Sequence, residues 1–147
     1  MKLFTKMWRR AYRLSRRSWP WQVLFAVWLG AIYYASSMTG GEVSPYLPTF
    51  TLHKLAHFVA FSSGAVILAL ALRFGTGWRW RKIAAVSIAV ISLCGAADEL
   101  HQRFTPGRDG TARDWAIDTA SGAVGVGVLL LGKGRVKRWV EREFKFS

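Results

Sequence analysis

Residues 19–38 read WPWQVLFAVWLGAIYYASSM, 20 positions without an acidic or basic side chain. At 1.5 Å per residue, a helix of about 20 residues matches the roughly 30 Å hydrocarbon layer of a bilayer. Pro20 suits the first turn, where its missing N–H has no intrahelical partner to lose. The pattern recurs three times. Residues 55–72 hold only His57 as an ionisable group, residues 83–97 hold no charge, and residues 115–132 hold only Asp118. Runs this long and this apolar on every face are neither strands nor surface helices. They predict an all-α polytopic membrane protein, a four-transmembrane-helix bundle with helices at 19–38, 54–73, 83–101 and 115–132. The membrane domain is then 19–132, between basic tails at 1–18 and 133–147.

Outward from these runs, the charges sort by side. The chain of 147 residues carries 21 Lys+Arg against 8 Asp+Glu, a net +13. In a soluble protein that excess would point to a polyanionic partner. Here seven basic residues precede Trp19, four (Arg73, Arg79, Arg81, Lys82) join helices two and three, and six (Lys133, Arg135, Lys137, Arg138, Arg142, Lys145) follow the last helix. Only Lys54, Arg103, Arg108 and Arg113 fall on the other side. The positive-inside rule therefore puts both termini in the cytoplasm, with Trp78, Trp80 and Trp139 as interfacial anchors. The basic tails attract anionic membrane lipids, and no nucleic-acid partner is expected. A cleaved signal peptide is the rival for the first run. It is the weaker one, because the run exceeds an ordinary signal core and Tyr33-Tyr34-Ala35 makes a poor cleavage site. The single cysteine, Cys94, allows no intramolecular disulfide and lies in an apolar run, where a thiol acts as a small hydrophobe.

The polar residues that membrane helices exclude share one depth. His57 is 16 residues from Arg73, Asp98 is 16 from Lys82, and Asp118 is 15 from Lys133. Each is thus about 22–24 Å from the cytoplasmic side. Lys54, Gln102 and Asp114 lie one turn further out, with Glu99 between the levels. Lys54, His57 and Phe61 share a helix face, as do Asp98 with Gln102 and Asp114 with Asp118. Gly122 and Gly125 continue the stripe of Asp118, and Gly95, Ala96 and Ala97 lie beside Asp98. Small residues there predict close helix packing, so the carboxylates point into the bundle and not at lipid.

In that order the blocks Lys54-x-x-His57-Phe58, Asp98-Glu99-x-x-Gln102, Phe104-x-Pro106-Gly107-Arg108, Asp114 and Gly122-x-x-Gly125 resemble the VanZ-like family, over residues 52–131. The family takes its name from a factor in glycopeptide (teicoplanin) resistance. The resemblance implies a multi-pass protein of the bacterial cytoplasmic membrane with a role at the cell envelope. Two positions depart from the family's usual pattern: His53 stands where Asp precedes the lysine, and Asp118 where Asn follows the loop-proximal Asp.

Two chemistries suit the outward-facing group. In the first, His57, Asp98, Glu99, Asp114 and Asp118 are catalytic. Crowded carboxylates repel one another, so one serves as acid and another as base, with His57 moving the proton. Lys54, Gln102 and Arg108 bind substrate, Arg108 as a planar fork for phosphate or carboxylate. The substrate would be a lipid headgroup or lipid-linked glycan. In the second, the same pocket captures an amphiphile without chemistry. Proton-coupled transport is disfavoured, because the cytoplasmic halves of the helices hold no relay groups. No cofactor or metal is assigned, although Asp98, Glu99 and Asp118 offer the hard oxygens that a divalent cation takes. A homo-oligomer is compatible with four short helices that bury little among themselves. A reporter active only outside the cytoplasm is expected to give signal when fused near Gly107 and none when fused near Ser147; the reverse pattern inverts the topology.

Overall fold

The computed structural model describes residues 17–46 and 49–143; the expectations for the tails that fall on 1–16 and 144–147 lie outside the described residues. All regular structure among the described residues is helical: α1 (Trp19–Ser37), α2 (Gly40–Val43), α3 (Phe50–Gly75), α4 (Trp80–Gln102) and α5 (Ala112–Glu143). The four long helices overlap those expected, but α5 runs on to Glu143, beyond the expected end at 132 and into the segment read as a tail, and the one-turn α2 is an addition. Its capping box explains it. Thr39 Oγ1 accepts the Glu42 N–H, while Thr39 N–H and Oγ1 donate to Glu42 Oε2 at 2.8 and 2.9 Å. These bonds hold the exposed Glu42 carboxyl below its ordinary pKa.

Each long helix starts or stops where its sequence satisfies terminal backbone groups. Pro20 lies in the first turn of α1. Thr49 Oγ1 accepts the Leu52 N–H at the start of α3, and Thr111 Oγ1 accepts the Asp114 N–H at the start of α5. Both are side-chain N-caps. At the other end of α3, Thr76 donates from its N–H and its hydroxyl to Leu72 O.

Three helices are long and apolar enough to cross a membrane: Thr51–Gly75, Trp80–Gln102 and Ala112–Gly132. Only 28%, 33% and 28% of the residues in their apolar windows are buried within the protein. The other residues are partly or fully exposed, so much apolar surface is left uncovered, as lipid favours and water opposes. α1 falls outside this set, because Trp19, Trp21, Gln22, Trp28, Tyr33 and Tyr34 dilute its apolarity. At the end with the short α3–α4 connection, Lys82 Nζ lies 3.9 Å from the Trp78 ring centre and the Arg73 guanidinium 5.5 Å from that of Trp80. Both contacts suit interfacial tryptophans.

α3 packs on α1, α4 and α5, and α4 on the same α1 and α5, so α1 and α5 occupy opposite flanks of the α3–α4 pair. The core holds Trp28, Phe61, Ala65, Ala69, Ile83, Ile91 and Val126. α1 is fastened by Trp28, whose Nε1 donates to Ala60 O at 2.9 Å and whose ring meets Phe61 edge-on. Gly64 makes room for that ring. α5 approaches closely because Gly122 faces Ile91 and Gly125 faces the Ser62 carbonyl. Ser62 Oγ donates to Ser121 O at 2.8 Å across the same contact. An interhelical hydrogen bond in a membrane contributes only about 0.6 kcal/mol on average, so the backbone approach matters more. Ala96 and Ala97 do not join this packing: they are exposed, about 100° and 200° round the helix from Gly95. Gly125→Ala, which drives a methyl into the Ser62 carbonyl, is expected to lower stability in detergent by about 1–3 kcal/mol. Gly127→Ala, with open space at its Cβ, is expected to leave thermal unfolding unchanged or raise it slightly.

Candidate functional site

The end of the bundle where α1 and α4 finish and α3 and α5 begin gathers the seven residues singled out by depth and spacing and Arg108, singled out by its charge. α3 supplies Lys54 and His57, α4 supplies Asp98, Glu99 and Gln102, α5 supplies Asp114 and Asp118, and the α4–α5 loop supplies Arg108. Gly95 makes the arrangement feasible. A Cβ there would lie 3.1 Å from Asp118 Cβ, so its absence lets Asp118 reach the centre.

At that centre one ligand-type atom from each of His57, Asp98, Glu99 and Asp118 lies within 4.8 Å of the others. Asp118 is fully buried, Glu99 is 4% exposed and Asp98 is 7% exposed. His57 Nδ1 and Asp118 Oδ1 are 3.0 Å apart. With Asp118 as acceptor, Nδ1 carries the hydrogen and Nε2 keeps its lone pair. His57 is sandwiched by ring contacts with His53 and Phe61, at 5.6 and 6.0 Å. Gln102 Nε2 donates to Asp98 Oδ2 at 2.7 Å. The Thr111 N–H donates to Glu99 Oε2 at 2.7 Å. Glu99 Oε1 and Asp118 Oδ2 are buried without a hydrogen-bond partner among the described residues. One turn outward, Lys54 and Asp114 form an ion pair between α3 and α5.

A cavity of about 240 Å³ reaches this centre from the α1 side. Ile32, Ala35, Met38, Val43, Tyr46, Ala56, Ala60 and Phe61 make its apolar lining, and Ser36, His53, His57, Asp98, Gln102 and Arg108 its polar lining. A second cavity of about 290 Å³, on the α5 side of α4, is lined by Ala96, Glu99, Leu100, Arg103, Thr111, Ala112 and Trp115.

The loop over the site is tied down. Gly107 turns with φ 72°, a conformation that suits glycine. Gly40 N–H donates to Pro106 O at 3.0 Å, which joins the loop to α2. Arg108 lines the first cavity and its Nη1 donates to Ala35 O and Met38 O, at 3.4 and 3.3 Å. It thereby caps the carbonyl end of α1. Three positions join the site that charge and spacing did not single out. Ser36 Oγ donates to Asp98 O at 3.4 Å, Thr105 Oγ1 donates to Ser36 O at 3.2 Å, and Thr111 binds Glu99. Thr111-x-x-Asp114 is a legible capping signature. Ser36 and Thr105 carry no comparable signal.

The molecule is thus a helical membrane protein whose apolar helices enclose a buried polar centre near one end. The chain matches the family described as VanZ/LLP1 over residues 3–133 and belongs to it. No curated protein and no solved structure matches the chain. The Lys54–Asp114 pair generates a prediction. Lys54→Gln or Asp114→Asn alone should each cost stability, and a double-mutant cycle in detergent is expected to give a coupling of about 0.5–3 kcal/mol. Coupling indistinguishable from zero would make the pair ornamental.

Proposed function

We propose that the protein is a membrane enzyme of the bacterial cell envelope that acts on a lipid headgroup or lipid-linked glycan by carboxylate and imidazole acid–base chemistry. The observation that carries this reading is the first cavity. It joins an apolar flank on α1 to His57 and Asp98, so an amphiphile's polar group can meet ionisable side chains while its tail stays among apolar ones. At about 240 Å³ it is smaller than pockets that enclose a drug-sized ligand, about 300–1,000 Å³, and therefore suits a headgroup alone. Val23, Leu24 and Val27 of α1 are exposed, so the same helix also presents apolar surface that a tail can cover.

In this proposal His57, oriented through Nδ1 by Asp118, takes or gives a proton at Nε2. Asp98, held by Gln102, is the second acid–base group, and Glu99 shares its charge. Arg108 recognises phosphate or carboxylate at the cavity wall. Lys54 and Asp114 fix the spacing of α3 and α5 beneath the loop. α1 is the fourth span, both termini are cytoplasmic, and the site opens to the outer face of the cytoplasmic membrane. Membrane lipids are the immediate partners, and a homo-oligomer would cover more of the exposed apolar surface. Resemblance to the teicoplanin-resistance factor supports a link to glycopeptide susceptibility through altered envelope lipids.

A second reading, capture of an amphiphile without chemistry, is favoured by the internal engagement of both cations. Arg108 Nη1 meets the carbonyls of α1 and Lys54 meets Asp114, so less positive charge is left for catalysis. One experiment separates the two. Envelope lipids and lipid-linked intermediates are compared among wild type, a deletion strain and the deletion strain carrying Asp98→Asn or His57→Gln. Catalysis predicts that the deletion accumulates one headgroup-bearing species, and that the variants, present at normal levels, turn it over about 10²–10⁴-fold more slowly. Full restoration by both variants would exclude acid–base catalysis by these residues.

A further inference from the structure

We propose that His57, Asp98, Glu99 and Asp118 form a binding site for one first-row divalent cation, such as Mn²⁺ or Zn²⁺, buried at the meeting point of α3, α4 and α5. The inference deepens the enzymatic reading by giving that site a cofactor, and it stands on three independent features.

The first is distance. Two donors on opposite sides of one ion, each at about 2.0–2.4 Å, are about 4–4.8 Å apart. The four side chains offer atoms that all lie within 4.8 Å of one another. The second is the state of those atoms. Glu99 Oε1 and Asp118 Oδ2 are buried on side chains 4% and 0% exposed, and neither has a hydrogen-bond partner among the described residues. A buried oxygen left in this way costs about 1–3 kcal/mol, and more for a charged group. The third is charge. Three carboxylates share this space with one imidazole, and Lys54 is already paired with Asp114. A divalent cation offsets more of that negative charge than one proton on His57 does.

The donor set narrows the ion. Carboxylate oxygens alone suit Mg²⁺ or Ca²⁺, whereas an imidazole among them favours a transition ion. His57 Nδ1, 3.0 Å from Asp118 Oδ1, is the ring atom that faces the carboxylates; with the ring hydrogen on Nε2, Nδ1 has the lone pair that ligates.

The full-length protein, purified in detergent and stripped with a chelator, is titrated with Mn²⁺. Free Mn²⁺ is read by electron paramagnetic resonance and thermal unfolding is read in parallel, without substrate. Wild type is expected to bind one Mn²⁺ per chain, to unfold at a higher temperature with it, and to release it to Zn²⁺. Glu99→Gln and Asp118→Asn should each weaken binding by about tenfold or more. Glu42→Gln, outside the group, should bind as wild type does. Asp118→Asn keeps the oxygen that faces His57, so a well-folded Asp118→Asn that has lost Mn²⁺ separates ligation from folding. Wild-type binding no stronger than that of Glu99→Gln, or unfolding indifferent to both chelator and Mn²⁺, overturns the site. Because no lipid is turned over in the measurement, that outcome would leave metal-free acid–base catalysis to be judged by the lipid comparison alone.

Discussion

The polar centre forms where two helices come close at a missing side chain. A Cβ at position 95 would lie 3.1 Å from Asp118 Cβ, so glycine there lets Asp118 stand among His57, Asp98 and Glu99 without either helix giving way. The same closeness is maintained further along α5 by Gly122 against Ile91 and Gly125 against the Ser62 carbonyl. In hydrocarbon, helix association gains little from burying apolar surface, since lipid tails are equally apolar. Close backbone contact is what remains, and it holds the acidic group together against its own repulsion.

Much of this was legible in the sequence, because a membrane helix converts residue number into depth. Counting from Arg73, Lys82 and Lys133 gives His57, Asp98 and Asp118 the same height, and the three side chains do meet. Helical spacing also gave Lys54 and Asp114 a common level, where they pair. Depth does not give direction around the helix axis. That is why Ala96 and Ala97, adjacent in number to Gly95, were read as packing residues although they face outward.

What was illegible depended on the backbone. Arg108 was read as an anion clamp from its charge and from the Pro106-Gly107 turn. In the fold its Nη1 reaches the Ala35 and Met38 carbonyls, acceptors that every residue carries and no pattern advertises. Ser36 and Thr105 enter the site in the same way, through hydroxyls bonded to carbonyls on other elements. α1 shows a different limit. Uncharged length suggested a span, and its aromatic and amide side chains leave it outside the three helices that are long and apolar enough to cross a membrane.

Asp98 and Glu99 are neighbours in the chain, and one residue of helix turns the side chain by about 100°. Asp98 consequently lines the cavity shared with α1, and Glu99 the cavity beside α5. One residue of helix thus turns two neighbouring carboxylates, which meet at a common centre, toward two different cavities. The polar centre is therefore flanked by a cavity on each side of α4, one beside α1 and one beside α5.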